Sequence, residues 1–271
     1  MTNTLNLKKI SCTVRQDIIK MIYNAGSGHP GGSLSAVELL VSLYFKHLKI
    51  NPKNFSASNR DYFILSKGHA CPVLYSILAR VGYFNVSELL TLRQLGSRLQ
   101  GHPSKDKQLP GIEVSTGSLG YGLSIGVGIS IGIKRQDKNN RIYVLMGDGE
   151  QQEGSVWEAA MAASHYKLNN ICAIIDNNKL QIDGKTQNIM NVEPLIDKYK
   201  AFGWKVVEID GHNFEEIDMA YSTFKTEDDK PMCIIANTIK GKGISFMENT
   251  AEWHGKSLSE KDFMKALKEL E

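Results

Sequence analysis

The sequence predicts an α/β protein, a parallel β-sheet flanked by helices on both faces. Two observations predict it. Short apolar, β-branched runs alternate with helical stretches through the middle of the chain, the order that gives βαβ units. The runs are apolar throughout rather than on alternate positions, as strands covered on both faces must be.

In chain order, Leu7, Ile10, Val14, Ile18, Met21 and Ile22 recur at helical spacing, and the turn from Gly26 to Gly32 stops that helix. A second helix is expected after Ser33 or Ser35, either of which can cap it, running from Ala36 to about Leu48. Tyr62 to Leu65 reads as a buried strand ending in Ser66-Lys67-Gly68-His69, and helix signals resume from Val73 to Ala79. Gly120, Gly122, Gly126, Gly128 and Gly132 then punctuate an apolar stretch. Each glycine costs roughly 1 kcal/mol against alanine in a helix. The stretch is therefore either loop-rich or a helix whose missing side chains admit a neighbouring helix or a partner subunit. Arg141 to Met146 is a strand, Ser155 to Tyr166 a helix and Ile171 to Ile175 a strand. Trp204 to Ile209 and Met232 to Ala236 are two further strands, accompanied by helices from Glu193 to Ala201 and Phe214 to Phe224. The charged stretch Thr226 to Lys230 suits a surface loop, and with no repeat or linker the chain reads as a single domain over residues 1–271.

Composition narrows the functions. The 271 residues carry 32 basic against 29 acidic side chains, a formal charge of +3, with 42% hydrophobic and 23% charged residues. That balance argues against disorder and against a nucleic-acid binder. The basic tail from Lys240 to Lys268 is interleaved with Glu248, Glu252, Glu260, Asp262 and Glu269, so it forms no continuous basic face. Cys12, Cys71, Cys172 and Cys233 are scattered without a CxxC pair, which fits a reducing cytoplasm. Met1 to Asn6 is polar, unlike a secretory signal, and no apolar run reaches the roughly 18 residues a membrane span needs. A cytoplasmic location with no membrane partner is the expectation.

Ligands of open parallel sheets bind at the carboxyl ends of the strands. Gly147-Asp148-Gly149 closes one strand, and after 27 residues (150 to 176) Asn177-Asn178 closes the next. A carboxylate and an amide oxygen can converge there on a hard cation such as Mg²⁺, whose shell is completed by waters and ligand phosphates. A Gly-Asp-Gly alone is an ordinary tight turn; paired with Asn-Asn at this distance it resembles the magnesium-diphosphate motif of thiamine-diphosphate enzymes. Other segments resemble transketolase in particular: Ser27-Gly28-His29-Pro30-Gly31, Ser66-Lys67-Gly68-His69, Gly101-His102-Pro103, Gly117-Ser118-Leu119-Gly120, Gly147-Asp148-Gly149 through Gly154, Lys240-Gly241-Lys242-Gly243 and Trp253-His254-Gly255, spread over nearly the whole chain in the family's order.

The resemblance implies a thiamine-diphosphate-binding fold (the PP domain) and a role for each matching residue. Asp148 and Asn178 would ligate Mg²⁺, or Ca²⁺ or Mn²⁺ in the same site, with the carbonyl of Leu180 as a third ligand; Asn178-Lys179-Leu180 departs from the family's common Asn-Gly start, which weakens that third assignment. His69, Gly149, Lys240 and His254 would contact the diphosphate. The turn Gly117, Ser118, Leu119, Gly120 would pack along the thiamine with Leu119 close to its rings, and His29, His69, His102 and His254 would face the reacting carbons as hydrogen-bonding or proton-moving groups. A zinc site built from the histidines lacks any local chelate spacing. Lys-Gly-Lys-Gly on its own is a solvated loop, His47 and His165 fall inside predicted helices, and His212 reads as a structural turn.

The glutamate that activates the aminopyrimidine lies, in full-length transketolases, in a second, pyrimidine-binding domain, and this chain stops at Glu271. The resemblance therefore implies the N-terminal subunit of a split transketolase, with pyrimidine and C-terminal domains absent from this chain. A separate C-terminal transketolase subunit would complete it in an α2β2 assembly that moves a two-carbon ketol unit between sugar phosphates. The segment from Gly117 to Gly132 and the carboxylates Glu153 and Glu158 fall where the family places intersubunit contacts, including a proton link between paired sites; both glutamates equally suit first-turn helix positions. The rival readings are one chain of a 2-oxo acid dehydrogenase, a deoxyxylulose-phosphate synthase fragment and an inactive regulatory subunit. A central pentose-phosphate role and a specialised sugar pathway both stay open.

Overall fold

A computed structural model describes residues 4–227 and 229–271; Met1 to Asn3 of the polar N-terminus, and Asp228 in the expected 226–230 loop, lie outside the described residues. Helix α1 (Thr4–Ala25) buries Leu7, Val14, Ile18, Met21 and Ile22, the periodic face read from the sequence. The second helix differs from expectation. It starts at Pro30, directly after His29, as α2 (Pro30–Leu34), breaks, and resumes as α3 (Val37–Ser42) and a π-turn over Leu43–His47. Proline suits a first helical position because its missing N–H would be unsatisfied there anyway. Neither serine is a helix N-cap, those positions falling to His29 and Ala36: the Ser33 hydroxyl donates to the His29 carbonyl at 2.7 Å and that of Ser35 to Asp176 at 2.5 Å.

Strand β1 (Tyr62–Leu65) leads into α4 (Cys71–Val81). The glycine-punctuated stretch is a helix, α5 (Tyr121–Lys134). A β-carbon on Gly122 would lie 2.3 Å from the Ser66 hydroxyl and one on Gly126 2.8 Å from Val144, so these glycines let α5 lie against the sheet. Gly128 and Gly132 face open space. Next come β2 (Ile142–Gly147), α6 (Gly154–His165) and β3 (Ile171–Asn177). A small hairpin, β4 (Leu180–Gln181) with β5 (Gly184–Lys185), and α7 (Thr186–Ile189) follow; the sequence reading missed them, because two-residue strands have no periodicity to detect. The chain continues through α8 (Leu195–Ala201), β6 (Lys205–Asp210), α9 (Phe214–Thr226), β7 (Met232–Asn237) and α10 (Glu260–Glu269).

The main sheet has the order β1-β2-β3-β7-β6, every pair parallel. Alternate residues along each strand enter opposite cores. Tyr143, Leu145, Ile174 and Ile234 pack with α1, α3, α4 and α9, while Val144, Met146, Ala173 and Ile175 pack with α5, α6 and α8. Each fully buried aliphatic side chain contributes roughly 1.5–3 kcal/mol, so the two layers hold the sheet rigidly. Register places Gly147 opposite Asp176 and Asn177 opposite Asn237. All five strands thus deliver their carboxyl ends to one edge. Among the described residues no helix is long and apolar enough to cross a membrane, and all four cysteines are free thiols.

Candidate active site

The site is built on a buried ion pair. Lys67, just past β1, is 1% exposed; its Nζ donates to the Gly32 carbonyl at 2.8 Å and pairs with Asp176 near the end of β3. Asp176 also accepts the hydroxyls of Ser35 and Thr238. Burial alone would raise this carboxyl, yet Lys67 and the two hydroxyls hold it below the ordinary carboxylate range. Glu150, 2% exposed, is a second hub. It accepts the Ser66 hydroxyl, the Gly120 N–H at 2.9 Å and the Gly147 N–H at 3.1 Å, tying the Gly117 to Gly120 turn to the Gly147-Asp148-Gly149 turn. Burial pushes the Glu150 carboxyl up. Asp176, Glu150 and Thr238 had no site role in the sequence reading, Lys67 appeared only inside a motif, and Ser35 only as a helix cap. The available signals were a lysine and an aspartate at the ends of otherwise apolar strands.

Above this floor, Asp148 accepts the Gly149 N–H at 2.9 Å and the Thr186 hydroxyl at 2.9 Å. Burial and the nearby Asp176 raise its carboxyl, against the Thr186 hydroxyl, the Gly149 N–H and the charge of Lys240. Asn178 accepts the Leu180 N–H at 3.2 Å, and the Leu180 carbonyl accepts Lys240 Nζ at 3.0 Å. One carboxylate, one amide oxygen and one backbone carbonyl make a hard-oxygen donor set that fits Mg²⁺. Among the described residues no three His, Cys, Asp or Glu side chains are grouped to hold a metal.

Lys240 is no solvated loop residue: it is 2% exposed, and burial, then the charge of Lys67, lowers its pKa to about 8. Its ammonium also donates to His254 Nδ1 at 3.1 Å, which leaves that ring neutral with its proton on Nε2. The His29 ring stands 5.3, 6.3 and 5.4 Å from those of His69, His102 and His254, and His69 lies 5.0 Å from His254. Burial, followed by nearby cations and imidazoles, lowers His29 to about 4 and His254 to about 3, and drives His69 well below its usual value. His102 is lowered as well, by burial and Arg93. The buried Nδ1 of His29 has no partner among the described residues.

One cleft of about 310 Å³ collects His29, His69, His102, His254, Gly117, Leu119, Asp148, Gly149, Asn178, Leu180 and Lys240. Glu153 also lines it; Ser118, Gly120 and Glu158 lie outside its lining. Glu153 precedes α6 as its cap position, and a β-carbon on Gly120, whose φ is +87°, would collide with it at 2.6 Å. Glu158 is the fifth residue of α6, exposed and beyond the first turn, so the first-turn reading does not hold for it. His212 is more than a turn residue. Its Nε2 accepts the Ile239 N–H at 2.9 Å, next to Lys240, and its Nδ1 meets Glu38 at 2.9 Å. Glu38 is held in turn by Arg15, whose Nε donates to the Lys242 carbonyl at 2.9 Å.

An open parallel sheet that gathers a buried carboxylate, amide and carbonyl oxygens, buried lysines and glycine turns at its carboxyl edge is the arrangement of a domain that takes a cofactor diphosphate. The family described as transketolase, thiamine diphosphate binding domain, matches residues 7–270. The chain belongs to the transketolase family as its thiamine-diphosphate-binding domain. It is 42% identical to an apulose-4-phosphate transketolase subunit of Phocaeicola vulgatus, covering 94% of this chain and 90% of that protein. It is 44% identical to the 6-deoxy-6-sulfo-D-fructose transketolase subunit SqwG of a Clostridium species, covering 98% and 97%. Homo sapiens transketolase is 40% identical over 93% of this chain, which spans 40% of that longer protein. The crystal structure of Campylobacter jejuni transketolase superposes with a TM-score of 0.93 at 35% identity, over 99% of this chain and 43% of that one.

Proposed function

We propose that this chain is the thiamine-diphosphate subunit of a two-chain transketolase, moving a two-carbon ketol unit from a ketose to an aldose. The observation that carries the reading is the single cleft in which the Asp148, Asn178 and Lys240 end meets four neutral histidines. Two relatives covered almost end to end are named as transketolase subunits, which supports a separate partner chain and an α2β2 assembly. Their names carry a phosphate and a sulfo group, so the sugar is proposed to bear a terminal oxyanion. On this reading residues 1–271 act as one domain, the pyrimidine-binding glutamate comes from the partner, and the pair works in the cytoplasm.

Asp148, Asn178 and the Leu180 carbonyl hold Mg²⁺, or Ca²⁺ or Mn²⁺ in its place, while Lys240, His69, His254 and Gly149 take the diphosphate. When bound, thiamine diphosphate supplies the electron sink that lets a carbon–carbon bond beside a carbonyl break and re-form. This chain's task is to bind, orient and move protons. His29, His69, His102 and His254 stay uncharged at neutral pH and so can both donate to and accept from sugar hydroxyls. Leu119 lies against the cofactor rings, and the outer face of α5 with Gly128 and Gly132, flanked by Glu153 and Glu158, meets another subunit.

The test is reconstitution with a pyrimidine-domain partner chain, Mg²⁺ and thiamine diphosphate, followed by a coupled assay of ketose consumption. Ketol transfer by the pair and none by either chain alone is expected. Turnover by this chain alone refutes the two-chain reading, and decarboxylation of pyruvate in place of ketol transfer refutes the transketolase reading.

A further inference from the structure

Against the segments that carry His29 and His102, and outside the residues that line the cleft, sits a cation that the cofactor does not need. Arg93 is exposed and adopts φ +60°, a left-handed conformation that a non-glycine residue keeps only where its surroundings enforce it. Its N–H donates to the Leu99 carbonyl at 2.8 Å, closing the loop that carries it. The guanidinium donates to the Ser27 hydroxyl at 3.2 Å and lies flat against Gly101, where a β-carbon would come within 2.9 Å of Cζ and Nη2. Ser27 and Gly101 are near neighbours in sequence of His29 and His102, so the guanidinium is seated across the two segments that present those rings. Its charge is felt by both imidazoles.

Arg98, on the same loop, is spent on a two-pronged pair with Glu88 at 2.9 Å for each bond. Arg93 has no carboxylate partner among the described residues. An exposed, oriented guanidinium without a counter-ion offers its fork to an oxyanion. Because it sits against the segments that carry His29 and His102 and is not among the residues lining the cleft around Asp148, an anion it meets belongs to the part of the sugar that projects from the cleft. We propose that Arg93 anchors the terminal oxyanion of the sugar substrate and so gives this chain, and not only its partner, a share in substrate selection. The proposal rests on the function proposed above.

Three donors test it in the assembled enzyme: D-fructose 6-phosphate, 6-deoxy-6-sulfo-D-fructose and the neutral L-erythrulose. Arg93→Met is expected to raise KM for at least one charged ketose about tenfold while leaving kcat and the erythrulose KM within twofold. Arg93→Lys should recover part of the loss, and which charged donor suffers identifies the oxyanion as phosphate or sulfonate. Equal changes with charged and neutral donors, impaired subunit assembly, or no change at all would overturn the proposal, because the guanidinium would then only brace Ser27 and Gly101 or meet the partner. If the wild-type pair transfers no ketol unit, the function reading fails. Arg93 is then judged by calorimetry of fructose 6-phosphate binding to the chain, which Arg93→Met must weaken for the assignment to stand.

Discussion

The Asp148 end of the cleft holds three carboxylates, Asp148, Glu150 and Asp176, and two lysines, Lys67 and Lys240, none more than 2% exposed. The His29 end holds four imidazoles that burial and nearby cations keep neutral, with no carboxylate in contact among the described residues. Full charges in a low-dielectric setting must be locked by partners, because an unpaired buried charge is costly. Neutral rings need no such locking and remain free to exchange hydrogen bonds with a passing ligand. The first end is arranged to grip an ion and a diphosphate permanently, the second to handle a sugar that comes and goes.

The contrast breaks most severely at its charged end. Lys67→Met strands Asp176 without its cation and should cost about 3–5 kcal/mol in urea denaturation; a loss below about 1 kcal/mol would mean the pair is not what holds that end together. Asp148→Asn should weaken binding of Mg²⁺ and thiamine diphosphate by about 100-fold in calorimetry, and Thr186→Val, which removes only the hydroxyl on Asp148, by about tenfold. The neutral end is sharpened by pH. The folded values of about 4 for His29 and about 3 for His254 lie below the unfolded value of 6.5. The unfolded chain therefore binds protons first as pH falls, and stability is full above about pH 6.5 and declines between there and about 3. NMR titration of the C2 protons should show both rings uncharged at pH 5.5, and a ring that charges near 6.5 contradicts the contrast. The smallest effect lies outside the cleft. A β-carbon on Gly128 meets nothing within 4 Å, so Gly128→Ala should stabilise the isolated chain by up to about 1 kcal/mol. A simultaneous fall in affinity for the partner chain would mark that face as the contact.

The strands and longer helices were legible because burial on both faces writes an apolar run directly into the sequence, as from Ile171 to Ile175. The histidines were legible because each stands in a glycine turn of a recognisable motif. The polar floor was not: Lys67 with Asp176, and Glu150 with Ser66 and Gly120, join residues 109, 84 and 30 positions apart. No local pattern announces such pairings. The break between α2 and α3 was missed for a related reason. Ser33 and Ser35 look like caps by type, but one hydroxyl serves the His29 carbonyl and the other Asp176, both partners fixed only by the fold.

The chain of contacts from Arg15 through Glu38 and His212 to Ile239 and Lys242 joins the first helix to the loop after the last strand. Since β7 inserts between β3 and β6, that loop reaches its place only when the sheet is complete. The diphosphate end is thus assembled from segments far apart in the chain, and a ligand that binds it only in the native state acts on the folding equilibrium itself. A cofactor present at 100 times its dissociation constant adds about 2.7 kcal/mol to the native state. The amount of folded protein in a cell would then follow the supply of the vitamin-derived cofactor, before any question of catalysis arises.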